Sequence, residues 1–172
     1  MLQALLADRF RLQIRKEIRE VPSYVLTIAK PPKLGPHLRP SKYDCAAVKS
    51  TRKDNPNWAP PPATDFEGKP LCTAPSFSQP KSGVVTLRDA GPLESFIKQA
   101  QGHFDRKLVD ETGLSGNFEW SITFSINPSN PSDLDAIPIL VAVQSELGLK
   151  VEVRPRPAEV YLIDSVTMPT PN

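Results

Sequence analysis

The chain has 172 residues, a formal charge of +2, 39% hydrophobic residues and 7% aromatic ones. That length leaves room for one buried core, in one domain or two tightly joined halves. The charge is too small to predict nucleic-acid binding, and no run approaches the roughly 20 apolar residues of a membrane-spanning helix.

Leu2, Leu5 and Leu6 recur at helical spacing, and the pattern then alternates, with Phe10, Leu12 and Ile14 set against Arg11, Gln13 and Arg15. A short helix is expected to run into a half-buried strand. Arg9, Arg11, Arg15, Lys16 and Arg19 gather here and fit the wet face of that strand. A turn is expected around Glu17–Val21, with an antiparallel partner strand over Tyr24–Ala29. The opening MLQALLADRF breaks its apolar run with Asp8 and Arg9 and has no basic leader, so it does not read as a secretion signal.

Of the 20 prolines, 11 fall between Lys30 and Gly83. Proline supplies no ladder donor and does not continue a helix, so residues 31–83 are expected to form a long loop insertion without regular structure. Both cysteines, Cys45 and Cys72, lie in it. Paired, they would staple the loop and place the chain in an oxidising, periplasmic or secreted setting. The competing reading is two unrelated thiols; neither has a second ligand at zinc spacing. Tyr43, Trp58 and Phe66 are the loop's aromatic candidates for a ligand or partner surface. Alternatively, they fold back and anchor the loop.

Val84–Leu87 reads as a strand. A helix follows, with Leu93, Phe96, Ile97 and Ala100 on one face and Gly102 as terminator. Lys107–Val109 is a short strand entering the turn from Asp110 to Gly116. Phe118, Trp120, Ile122, Phe124 and Ile126 then alternate with Asn117, Glu119, Ser121, Thr123 and Ser125, so one face is expected to be buried and the other wet. Ile139, Val143 and Leu147 mark a second helix. Asp135 is its expected N-cap, and Pro138 its third residue. Strands Leu149–Val153 and Val160–Val166 follow, with a turn expected at Pro155 and Pro157.

The first and last segments agree with each other. ADRFRLQIRKEIREVPSYVLTI at 7–28 and QSELGLKVEVRPRPAEVYLIDS at 144–165 align without a gap, bringing Phe10 onto Leu147, Leu12 onto Leu149 and Tyr24 onto Tyr161. The fold expected is α+β: two related helix-strand-strand units sharing a common interior, with antiparallel sheet and helices on one face. The chain divides into 1–30, the proline-rich insertion 31–83, and 84–172, as two halves of a single compact domain over 1–172.

Three stretches, LQALLADRFRLQIRKEIREVPSYVLTIAK, RKLVDETGLSGNFEWSITF and LVAVQSELGLKVEVRPRPAEVYLIDSV, resemble consecutive blocks of a soil-associated bacterial family, abundant in acidobacteria and of unknown function. The Asp-x-Thr-Gly-Leu-x-Gly turn at 110–116 is the most specific mark of that resemblance. Some similar proteins carry the domain behind a membrane zinc peptidase of the β-lactam-sensor type. The resemblance implies an extracytoplasmic sensing or binding module and brings no catalytic residue with it.

No nucleophile elbow, zinc-peptidase motif or phosphate loop occurs. His37 and His103 are the only imidazoles. His103 lies near Asp105 and Asp110 in sequence, so a catalytic His103, Asp105 and Asp110 set is conceivable, with Ser95 or Ser115 nearby. The competing reading puts His103 as a cation at a helix end. Asp133 and Asp135 offer oxygen ligands for calcium, against a plainer role in capping and turns.

The leading expectation is a binding or sensing module without cofactor, contacting an unknown small molecule or protein through loop 31–82. The alternative is a hydrolase of esters or lactones, such as acyl-homoserine lactones, assisted by calcium. A third is an assembly domain that pairs through strand edges as a homodimer.

Overall fold

The structure, a computed structural model, describes residues 2–52, 55, 57–73, 77–81, 83–126 and 137–168. The chain forms α1 (Leu2–Phe10), β1 (Gln13–Ile28), β2 (Leu38–Ser41), α2 (Cys45–Arg52), β3 (Phe77–Lys81) and β4 (Val84–Pro92), followed by α3 (Leu93–Ala100), β5 (Leu108–Asp110), β6 (Asn117–Ser125), α4 (Ile139–Leu147) and β7 (Leu149–Ser165). Two sheets result, ordered β5-β1-β7 and β2-β6-β4-β3. The class is α+β.

The two copies of the repeat share their helix bounds, since 2–10 and 139–147 are the same positions of the alignment. Their hairpins are absent. Each expected strand pair is one long strand, and no turn interrupts Glu17–Val21 or Pro155–Pro157. A strand tolerates proline where the missing donor faces no ladder partner. β7 is an edge strand, and Pro155 and Pro157, two residues apart, share one side of it. Tyr24 N–H donates to Lys107 C=O, on the β5 side. Pro22 shares that side but lies before the start of the β5 pairing, Tyr24 with Leu108. That pairing is parallel, so the first sheet is mixed rather than purely antiparallel.

Two compact units are built from these elements: Met1–Pro22 with Arg154–Asn172, and Ser23–Val153. In the first, Phe10 C=O accepts from Thr167 N–H, Arg15 pairs with Asp164, and Lys16 pairs with Glu159 while lying over the Tyr161 ring. As β1 advances its partners step backwards, so the strands run antiparallel here. Ile18, Tyr161 and Ile163 are exposed in this unit.

The second unit holds the core. Trp120, Ile122 and Phe124 of β6 are buried as the alternation requires, with Phe96 of α3 and with Val143 and Leu147 of α4. Ile126, expected to continue that face, lies past the strand end and is exposed. Tyr24 is half-buried against Phe104, whereas its alignment partner Tyr161 is 53% exposed. The alignment therefore predicts backbone better than environment. α3 runs into a 3₁₀ turn at Gln101–His103, so Gly102 lies within a tightened last turn.

The proline-rich insertion is not structureless. It carries β2, α2 and β3, and β2 pairs antiparallel with β6 from Leu38–Trp120 to Ser41–Asn117. Cys45 and Cys72 form a disulfide with a Cα–Cα distance of 5.0 Å, inside a small cluster with Leu71 and Ala90. α4 begins after Pro138, whose carbonyl accepts from Val141 and Ala142; Pro138 thus precedes the helix instead of being its third residue.

Candidate functional site

Three places in the Ser23–Val153 unit concentrate polar chemistry or open space. The first is where the insertion crosses the second face of the β2-β6-β4 sheet. Asp65 folds the crossing segment on itself, its Oδ1 accepting from the backbone of Glu67 and Lys69 at 2.9 Å each. Arg39 of β2 then clamps it, donating to Thr64 C=O at 3.0 Å and to Glu119 Oε2 at 2.9 Å, and lying 4.3 Å from the Phe66 ring centre. Arg88 of β4 pairs through Nη1 with Glu67 Oε2 at 2.8 Å, while its Nε, like Glu119 Oε1, is buried without a hydrogen-bond partner among the described residues. Burial pushes the Glu119 carboxyl up, opposed by the Arg39 guanidinium. The recess among these groups is water-sized, at about 20 Å³. This is a strap, with no room for a ligand.

The second place is a cleft where β6 ends, lined by His103, Phe104, Asp105, Phe124 and Ser125 among others. The His103 ring stands edge-on to Phe124 at 5.0 Å and parallel to Phe77 at 6.3 Å, and burial lowers its pKa. His103 and Asp105 thus line one cleft. Asp105, however, accepts from the Tyr24 hydroxyl, a bond that raises the Tyr24 pKa. Asp110 is elsewhere: its Oδ1 accepts from Thr112 N–H and Oγ1–H, both at 2.8 Å. The three expected catalytic residues do not meet.

The aromatic candidates are turned to structural use. Tyr43 packs on the disulfide cluster. Trp58 is half-buried, with Nε1–H donating to Val48 C=O at 3.3 Å and Arg52 5.4 Å from its ring centre. Phe66 lies between Arg39 and His37. His37 is also paired through Nδ1 with Glu146 at 2.6 Å. Asp133 and Asp135 lie outside the described residues, and among those described no three acidic, histidine or cysteine side chains gather as a metal site.

The third place is a groove that no sequence motif marked. Its floor is Tyr24 of β1 with Val151 and Val153 of β7; one wall is Leu140, Val141, Gln144 and Ser145 of α4. The other wall is segment 29–36, with Leu34, Pro36, Lys30 and Lys33. Its volume is about 820 Å³, within the range of roughly 300–1,000 Å³ usual for small-molecule sites.

That second wall is fixed by backbone. α4 ends at Gly148, with φ 70°, and three of the backbone carbonyls at this end are satisfied by segment 29–37. Gly35 N–H donates to Leu147 C=O at 2.9 Å, His37 N–H to Glu146 C=O at 2.8 Å, and Ala29 N–H to Gly148 C=O at 2.9 Å. A Cβ on Gly35 would overlap the Glu146 carbonyl oxygen and the Gly148 nitrogen, so glycine is required for this approach. Lys33 N–H closes a turn on Lys30 C=O at 2.8 Å, which includes a cis Pro31–Pro32 bond.

The family described as "Protein of unknown function (DUF3738)" matches residues 1–166. The chain belongs to that family. No curated protein and no solved structure matches it. In this DUF3738 chain the 110–116 turn is geometric: Leu114 N–H donates to Thr112 Oγ1, and Gly113 and Gly116 take φ of 70° and 90°. No helix among the described residues is long and apolar enough to cross a membrane.

Proposed function

We propose that this chain is an extracytoplasmic binding or sensing module whose ligand is a small molecule with a large apolar part, seated between α4, β7 and segment 29–36. The observation that carries the reading is the groove: Leu140, Val141 and Val153 are 42%, 50% and 54% exposed within it, while the backbone bonds from Gly35 and His37 to α4 tie its two walls together at one end. Apolar side chains left open on a rigid, ligand-sized recess gain by covering them. The disulfide supports an oxidising compartment. The resemblance to domains carried behind membrane zinc peptidases supports a sensing role.

The test is titration with N-phenyl-1-naphthylamine, a neutral dye that brightens in apolar surroundings. The wild type is expected to bind it saturably. Val141→Trp, which fills the groove from an exposed helix position, is expected to remove binding while keeping the circular dichroism of the fold. Equal binding by both proteins would refute the reading.

A second reading, hydrolysis of an ester or lactone such as an acyl-homoserine lactone, is favoured by the neutral imidazole that burial gives His103 beside Asp105 in one cleft. A lactone-opening assay on wild type and His103→Ala, with and without a calcium chelator, tests it. Unchanged activity in the variant removes His103 as base.

A further inference from the structure

We infer that the groove takes an anionic amphiphile, a single alkyl chain ending in a carboxylate, with its head at Lys30 and Lys33. The inference rests on the groove reading above and adds the class of ligand. Two observations carry it. The groove is chemically divided: Val141, Val151 and Val153 give it an apolar length, whereas both cations sit on the single turn at residues 30–33. It is also uncompensated, because no acidic residue lines it and neither lysine has an ion-pair partner among the described residues. Elsewhere in the same unit Arg39, Lys49, Lys69 and Arg88 are each matched by a carboxylate, whereas Lys42, Lys98 and Lys107, unpaired among the described residues, do not line the groove.

The backbone carrying the pair is held at two points, by the Lys33–Lys30 turn bond and by Gly35 on Leu147. A carboxylate at this mouth therefore meets two lysines carried on fixed backbone rather than on a flexible tail. The alkyl chain covers valine surface that water otherwise wets. Gln144 and Ser145 give the helix wall neutral polar groups for the hydrated side of the head.

The experiment displaces N-phenyl-1-naphthylamine from wild type and from a Lys30→Gln, Lys33→Gln double variant. The displacers are octanoate, decanoate, dodecanoate, dodecanol and dodecylamine, each below its micelle concentration. Wild type is expected to prefer dodecanoate to dodecanol by about tenfold, a preference that falls with added salt. Each added methylene from octanoate onward is expected to tighten binding about three- to fourfold. The double variant, with each displacer read against that variant's own dye affinity, should lose the preference for dodecanoate over dodecanol.

Dye binding with no preference for dodecanoate over dodecanol or dodecylamine would overturn the inference and leave the groove reading standing. Absence of dye binding by the wild type would overturn the groove reading itself. Affinity that falls as protein concentration rises would make a second copy of the chain the occupant, and would also overturn the inference.

Discussion

Arg11 and Gly148 occupy the same position of the internal repeat, and both turn the chain out of a helix through left-handed backbone, with φ of 48° and 70°. One copy uses the residue suited to that conformation. The other uses arginine, whose Cβ makes it costly. Below Gly148 lies Gly35, so glycine there serves both backbone angle and close approach.

Arg11→Gly is therefore expected to raise stability by about 1 kcal/mol. Gly148→Ala should lower it by about 2 kcal/mol or more, because strain and overlap with Gly35 add. Urea unfolding of the two variants checks both signs.

Loss of the Cys45–Cys72 bond frees a loop closed across a sequence separation of 27. On chain entropy alone, Cys45→Ala with Cys72→Ala costs about 3–4 kcal/mol. Neither cysteine lines the groove, so dye affinity of the folded double variant is expected to match wild type. A lowered denaturation midpoint with unchanged dye affinity is the expected pair of results.

Glu119 gives the strap a pH dependence of defined sign. Its pKa is raised from 4.5 in the folded protein, first by burial, so its contribution to stability is complete below about pH 4.5 and is lost as pH rises through the folded value. Glu119→Gln removes that loss. Urea unfolding between pH 4 and pH 7 should show the variant gaining on wild type as pH rises; a gap that moves the other way contradicts the assignment.

His103 titrates with the opposite sense. Burial lowers its pKa from 6.5, so its stabilising contribution is present above that value and is lost as pH falls through the folded pKa. An NMR titration of the imidazole protons should place the His103 midpoint below 6.5. A midpoint above 6.5 would mean the ring is not enclosed by Phe77 and Phe124 as described.

The sequence was informative where local pattern decides structure. Helical spacing and alternation located α1, α3, α4 and β6, and cysteine placement anticipated the staple. It was misleading where a proline's effect depends on which neighbour its nitrogen faces, as at Pro22, Pro155 and Pro157. Glu119 reads as wet by alternation and is buried because a segment more than fifty positions earlier crosses it. Trp58 and Phe66 suggested a contact surface, but Arg52, Arg39 and His37 hold them to the fold. The groove left no motif because its walls come from residues 29–36 and 140–153, joined by backbone bonds that any side chains would permit except at Gly35 and Gly148.

Methyl-resolved NMR during addition of the neutral dye tests the groove most directly. Shifts are expected at Leu34, Leu140, Val141, Val151 and Val153, with Val48 and Leu71 beside the disulfide unmoved. Shifts centred on Val48 and Leu71, or none at the groove methyls when the dye is bound, would contradict it.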